Sequence, residues 1–309
     1  MFALGTLIGV SMIIFVVLRI LPGDPLVAIL GVEGHARMLP ADKARIMADL
    51  GLSDPLPVQY VRWLRDIVSG QLGKSFFRGD TVRDLILHRG PLSAEIALLA
   101  LVVSWIVGLP AGIASALKPN GWLDAVARVV SIVFIAIPGF WLGLLIVLAL
   151  LFWFGYKAPI IIVHVWQNPW ENLQLVLGPA VVLGLAQGAY IARMSRSCLL
   201  EVIREDYVRT ARAKGAAEKA IVLRHALPNA MLPVITIIGM NIGTMLTGSV
   251  LVEVVFAWPG MGRLLYDGIV ARDYPLIIGI IMTTSVAVVI INLLTDILYA
   301  IVDPRIRYT

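Results

Sequence analysis

The sequence predicts an all-α membrane protein with six transmembrane helices and a charged helical hairpin between the fourth and the fifth. Three observations carry that expectation. Of 309 residues, 59% are hydrophobic and only 15% charged, with a mean hydropathy of +0.90, whereas an ordinary soluble domain is about 45–50% apolar and about 25% charged. The apolar residues gather into runs long enough to cross a bilayer, which takes about 20 residues of helix. Charge collects between the runs, above all in "EDYVRTARAKGAAEKAIVLRHALPNAMLPV", Glu205 to Val234. The predicted organisation is a first transmembrane helix (1–20), an extracytoplasmic segment with short amphipathic helices (21–92), and a core of five further spans (93–309) that carries the hairpin at 201–230.

The first run, Met1 to Leu18, holds no charge and closes at Arg19 and the turn "PGDP". It has no basic leader and no small-x-small cleavage site, so it reads as a retained helix and not as a signal peptide. The second run spans about Ala94 to Leu117 and the third about Val126 to Phe154. Pro138-Gly139 sits inside the third, where a proline kinks a membrane helix if neighbours satisfy the freed carbonyl. The fourth covers about Leu173 to Ile191, the fifth about Leu232 to Val252 and the sixth about Leu276 to Ile301. Between the fourth and fifth runs lie Arg193, Arg196, Arg204, Arg209, Arg212, Lys214, Lys219 and Arg224 against four acids. Lys118 and Arg128, and Arg305 and Arg307 at the end, fall on the same side. Basic loops stay cytoplasmic, so both termini are expected inside and the segment 21–92 outside. In that segment "ADKARIMADLGL" reads as a short helix with Ile46 and Leu50 four apart. Val58, Val61, Leu64 and Val68 form an apolar stripe at helical spacing, suited either to packing on the membrane core or to docking an outside partner.

Several chemistries are excluded. Basic excess (25 Lys and Arg against 20 acids) is explained by topology and needs no nucleic acid. A lone cysteine, Cys198, and four scattered histidines offer neither a disulfide nor a metal site. "GQLGKS" (Gly70–Ser75) has the Gly-Lys-Ser of a phosphate loop, but Val68 stands where the first glycine is needed. No HExxH, GxSxG or GxGxxG is present. Polar residues inside spans are costly and become functional candidates: Gln187, Asn241 and Asp296. Gln187 and Asn241 either line a pathway or join helices by hydrogen bonds. Asp296 either meets Arg193 or Arg196 near the inner interface or couples proton movement.

The hairpin is the most informative stretch. A helix from about Arg204 to Lys214 should end at Gly215, since glycine takes the left-handed conformation after a helix end without steric cost, and Lys214 suits the negative end of the helix dipole. A second helix follows from about Ala217 to His225, and alanines surround the turn. Small residues there let another body approach the backbone, so the hairpin fits a peg for a soluble cytoplasmic partner, with an interfacial membrane helix as the alternative.

These residues resemble the EAA loop of ABC importer permeases, whose pattern is E-A-A, three residues, G, nine residues, then I-x-L-P. It falls on Arg209-Thr210-Ala211, Gly215 and His225-Ala226-Leu227-Pro228, departing at Arg209, Thr210 and His225. "DYVRTARAKG" resembles the dipeptide/oligopeptide/nickel branch, as do "LRILPGDP", "IPGFWLGLL", "VEVVFAWPGMGRLL" and "LYAIVDPRIRY", in order along the chain. Relatives usually carry a basic stretch before the first span, which implies a start codon placed late or a shortened N-terminus.

The resemblance implies a type I ABC importer permease fold in a bacterial or archaeal plasma membrane. It implies a second homologous permease subunit, two cytoplasmic ATPase subunits that hold ATP and Mg, and an extracytoplasmic substrate-binding protein, with no cofactor or metal in this chain. Arg209, Thr210, Ala211 and Gly215 would meet the ATPase, with Leu227 and Pro228 fixing the hairpin against the membrane. Glu253, Trp258, Pro259, Gly260 and Gly262 would gate the pathway on the outer side or dock the binding protein. Short peptides are the expected substrate; nickel chelates, glutathione, haem, opines or oligosaccharides are the alternatives for the same machine. A secondary transporter working alone is the distant rival, and it would need paired intramembrane charges or broken helices at the midplane.

Overall fold

The computed structural model describes residues 2–20, 39, 54–155 and 163–302. The expected helix at 41–52, the "PGDP" turn and the basic C-terminal residues lie outside them, as do the side chains of Asn241 and Asp296. The described chain is helical throughout, apart from an isolated antiparallel bridge between Lys74 and Thr81. Two compact units group Met1–Pro91 with Gly260–Val289, and Leu92–Pro259 with Ile290–Thr309.

The first unit holds α1 (Phe2–Ile20), α2 (Leu56–Val68), the opening turns of α3 (Val82–Leu117), α11 (Met261–Ala271) and most of α12 (Tyr274–Val302). Its core joins Val82, Leu85 and Ile86 of α3 to Leu264, Leu276 and Ile280. Phe15 packs against the rings of Tyr60 and Trp63, and the hydroxyls of Ser11 and Tyr60 lie 2.8 Å apart. These contacts use one edge of the apolar arc of α2. The stripe read from the sequence lies along the other edge, where Val61 and Val68 are 65% and 81% exposed. Val58 is also exposed, and Leu64 of the same stripe is half-buried. "GQLGKS" folds as a turn with Gly70 and Gly73 at φ +78° and +82°. Its Ser75 hydroxyl donates to the buried Asp273 carboxylate, so the segment makes a tertiary anchor and no phosphate cradle.

The second unit is built around α6 (Pro169–Val202), which packs against α4 (Trp122–Ala136), α5 (Gly139–Phe154), α9 (Leu227–Gly248) and α10 (Val250–Val255). Asn168 caps α6 by accepting from the amides of Trp170 and Glu171, with Pro169 at the first helical position, where no amide is missed. Between α3 and α6 the backbones approach closely. A Cβ on Gly108 would sit 2.5 Å from the Gly188 carbonyl oxygen, and one on Gly112 would sit 2.5 Å from that of Ala192. Glycine at four-residue spacing is what lets membrane helices come together at van der Waals distance.

Among the described residues, three helices are long and apolar enough to cross a membrane (Val82–Leu117, Pro169–Val202 and Tyr274–Thr295), or four if α4 and α5 form one span. α1 adds the shorter apolar stretch Gly5–Val17, and α9 runs through the fifth apolar run. The third run is not one kinked helix: α4 and α5 meet at 101°. Ile137 is extended because the residue before a proline is driven out of the helical region, and Pro138 then starts a new helix. α3 begins at Val82, well before the apolar run that predicts it.

Candidate functional site

The hairpin leaves α6 through a turn and enters α7 (Asp206–Ala213) at Glu205, whose extended backbone serves as N-cap. Asp206 lies in the first turn and Arg212 in the last, each opposite in sign to the dipole end it faces. Gly215 sits at φ +80°. The Gly215 amide donates to the Arg212 carbonyl and the Ala216 amide to the Ala211 carbonyl, at 2.9 and 3.3 Å; this pair of bonds is the Schellman arrangement that satisfies the orphan carbonyls of a helix end. α8 (Glu218–Ile221) follows, and a π-helical turn at Val222–Ala226 carries the chain without a break into α9.

Two further contacts hold the hairpin's shape. Arg212 reaches across the glycine turn and donates through Nε and Nη2 to both oxygens of Glu218. The guanidinium holds the Glu218 carboxyl below the usual glutamate range. Tyr207 donates to the His225 carbonyl at 3.3 Å, and Asn229 donates to the Tyr207 hydroxyl at 3.0 Å, so α7 is bonded to the root of α9. Beneath these, Val208, Ile221, Val222 and Ala226 are buried. Above them, Arg209, Thr210 and Gly215 are exposed, Ala211 and Leu227 are half-buried and Pro228 is exposed. A side chain at Gly215 would meet nothing within 4 Å. The arrangement is an exposed projection bonded to α9, and its edge sets Thr210 and the Gly215 backbone beside the long side chains of Arg209 and Lys214.

A second cluster was not foreseen from sequence. Asp124 of α4 is fully buried, and Arg196 of α6 donates to it in a fork, Nε to Oδ1 at 2.7 Å and Nη2 to Oδ2 at 2.9 Å. The Ser115 hydroxyl and the Asn120 amide also donate to this carboxylate. One ion pair thus ties the end of α3, the start of α4 and the second half of α6. Arg196, one of two expected partners for Asp296, thus bonds to Asp124.

The candidates between Glu253 and Gly262 are mostly buried. Glu253 on α10 is fully buried and accepts from the hydroxyls of Ser93 and Ser249 at 2.7 and 3.0 Å. Trp258 is buried and donates through Nε1 to the Leu92 carbonyl. Between them the chain reverses at Ala257, φ +53°. Gly260 caps α11 with an extended backbone, Gly262 is buried in its first turn and Pro259 is half-buried. Glu253 and Trp258 are internal struts of the turn. Of the pathway candidates, Gln187 is half-buried on α6 between Gly184 and Gly188. Among the described residues no group of His, Cys, Asp and Glu has the makings of a metal site.

Comparison with known proteins follows the same lines. Residues 108–308 match the family model described as binding-protein-dependent transport system inner membrane component, and residues 1–97 match the model for the N-terminal part of such components. The chain is 38% identical to the oligopeptide transport system permease protein AppB of Bacillus subtilis, over 98% of this chain and 95% of that protein. It is 35% identical to the dipeptide transport system permease protein DppB of Escherichia coli K12, over 98% and 95%. Among solved structures, the MetNI methionine ABC transporter in inward-facing conformations has a chain of similar fold, with TM-score 0.54 at 20% identity, covering 71% of this chain and 96% of that one.

Proposed function

The chain belongs to the family of binding-protein-dependent transport system inner membrane components, and we propose that it forms half of the translocation pathway of an ATP-driven importer of short peptides. The observation that carries the substrate class is the near full-length similarity to an oligopeptide and a dipeptide permease. In this reading six helices cross the membrane, both termini lie in the cytoplasm, and a second homologous permease completes the pathway. Two ATPase subunits, which bind ATP and Mg, sit beneath, and an extracytoplasmic binding protein delivers the peptide.

The hairpin couples the parts. Arg209, Thr210, Ala211 and Gly215 meet a groove of one ATPase, while Leu227 and Pro228 anchor the hairpin's root. Because the Schellman turn, the Arg212–Glu218 fork and the Tyr207–Asn229 bond remove internal slack, displacement of the peg reaches α9 as a displacement of that helix. ATP binding can switch the pathway only by stabilising one of two packings of the spans more than the other. Near the opposite end of α9, the gate element that such a switch rearranges is the Glu253–Gly262 turn, which is held by the Glu253–Ser93 and Trp258–Leu92 bonds.

The test is isolation of the assembled transporter on a tag attached to this chain, followed by uptake of labelled dipeptides and oligopeptides into proteoliposomes. Two ATPase subunits and a second permease should co-purify, and uptake should require ATP and the binding protein. Uptake of nickel chelates, haem or oligosaccharide in place of peptide would remove the substrate class and leave the importer.

A further inference from the structure

We propose that the cleft between α3, α4 and α6 is a binding site for an anionic phospholipid. The cleft, of about 200 Å3, is walled by Ala111, Ala127, Ile132 and Ala192, with three serines, Ser115, Ser131 and Ser197, among them. Three guanidinium groups line it, those of Arg128, Arg193 and Arg196. Against them stands one carboxylate, Asp124, and its two oxygens are already taken by Arg196, Ser115 and the Asn120 amide. Arg128 comes no nearer to that carboxylate than 3.5 Å and is half exposed. Arg193 is exposed and lies over the Tyr190 ring, 5.5 Å from its centroid. Among the described residues three guanidinium groups thus share one carboxylate at the cleft, Arg196 in a fork and Arg128 at ion-pair distance, which leaves a net positive charge there.

Charge of one sign beside an apolar groove fits a molecule that is anionic at one end and hydrocarbon along the rest. A soluble anion would use the arginines and leave the groove walls wet; a neutral lipid would fill the groove and leave the arginines unmatched. Basic pockets between transmembrane helices are where acidic headgroups bind, and long arginine side chains on spanning helices reach toward the headgroup level. The site requires that α4 and α6 cross the membrane, and it rests on the proposed topology that puts this end of them on the cytoplasmic side. A lipid here would brace the Asp124–Arg196 junction from outside.

The experiment uses the assembled transporter, delipidated in detergent and examined by native mass spectrometry after addition of phosphatidylglycerol or phosphatidylcholine. The unaltered transporter should retain phosphatidylglycerol preferentially, and the Arg128→Gln/Arg193→Gln variant should retain it roughly tenfold less. The Arg128→Lys/Arg193→Lys variant keeps both charges and should bind nearly as the parent does. It also supplies the comparison, against Arg193→Gln alone, should the double glutamine variant fail to assemble. Excess inorganic phosphate should not displace the lipid; displacement would identify a phosphate site and overturn the proposal. Equal retention of both lipids, or equal retention by parent and glutamine variants, would overturn it as well.

Discussion

Gly112 and Gly215 are the same residue used for opposite reasons. At Gly112 the backbone is ordinary helix and the constraint is space: any Cβ collides with the Ala192 carbonyl and the Ser195 hydroxyl. At Gly215 space is open in every direction and the constraint is conformation, φ +80°. The seam between α3 and α6 is therefore a closed contact that holds the core together. The hairpin is an open projection whose shape is set from within, and damage to the two should have different signatures.

The largest effect is expected at the seam. Gly112→Leu, where even a Cβ would lie 2.5 Å from the Ala192 carbonyl oxygen, should exceed the cost of about 1–3 kcal/mol usual for overpacking; the chain should vanish from the membrane fraction in an immunoblot. Next comes the buried ion pair. Asp124→Ala leaves Arg196 in a mostly enclosed site without its carboxylate, a loss of about 3–5 kcal/mol, to be read as a lowered unfolding midpoint of the purified transporter. Asp124→Leu with Arg196→Met should recover part of it.

Smaller effects are expected in the hairpin, and they should appear in coupling before abundance. Tyr207→Phe removes two hydrogen bonds near the surface, each worth about 0.5–1.5 kcal/mol at most. The expected result is normal membrane abundance with a lower ratio of peptide imported to ATP hydrolysed. The smallest is pH-dependent. Because Arg212 depresses the folded pKa of Glu218, the fork contributes fully above the ordinary glutamate pKa of about 4.3, and its contribution is lost as pH falls through the depressed value. Hydrogen exchange over Asp206–Ile221 should quicken on acidification, and Arg212→Gln should abolish that response.

What could be read in advance divides along the same line. Gly215 was legible because a helix end, a glycine and a preceding lysine are neighbours in sequence, and local backbone chemistry decides the outcome. The apolar runs were legible because membrane burial is written in composition. The break at Ile137-Pro138 was half legible: a proline in an apolar run announces a disruption, but the 101° angle is set by what the two halves pack against. Asp124 and Arg196 are 72 residues apart, and nothing near either one names the other. The spacing Gly108–Gly112 and Gly184–Gly188 was a signal available for close helix packing, although it does not say which helices meet. On α2 periodicity revealed an apolar arc, but not that Tyr60 and Trp63 would be the part to meet Phe15 and leave Val61 and Val68 outside.

The most direct test of the coupling role is the ratio of peptide uptake to ATP hydrolysis in proteoliposomes carrying a Gly215→Trp variant, with Gly215→Asn, which tolerates the left-handed conformation, as control. The tryptophan variant should insert and assemble, hydrolyse ATP and import little or nothing, while the asparagine variant stays near the parent. Import at the parental ratio by the tryptophan variant would contradict the assignment of the hairpin as the moving contact.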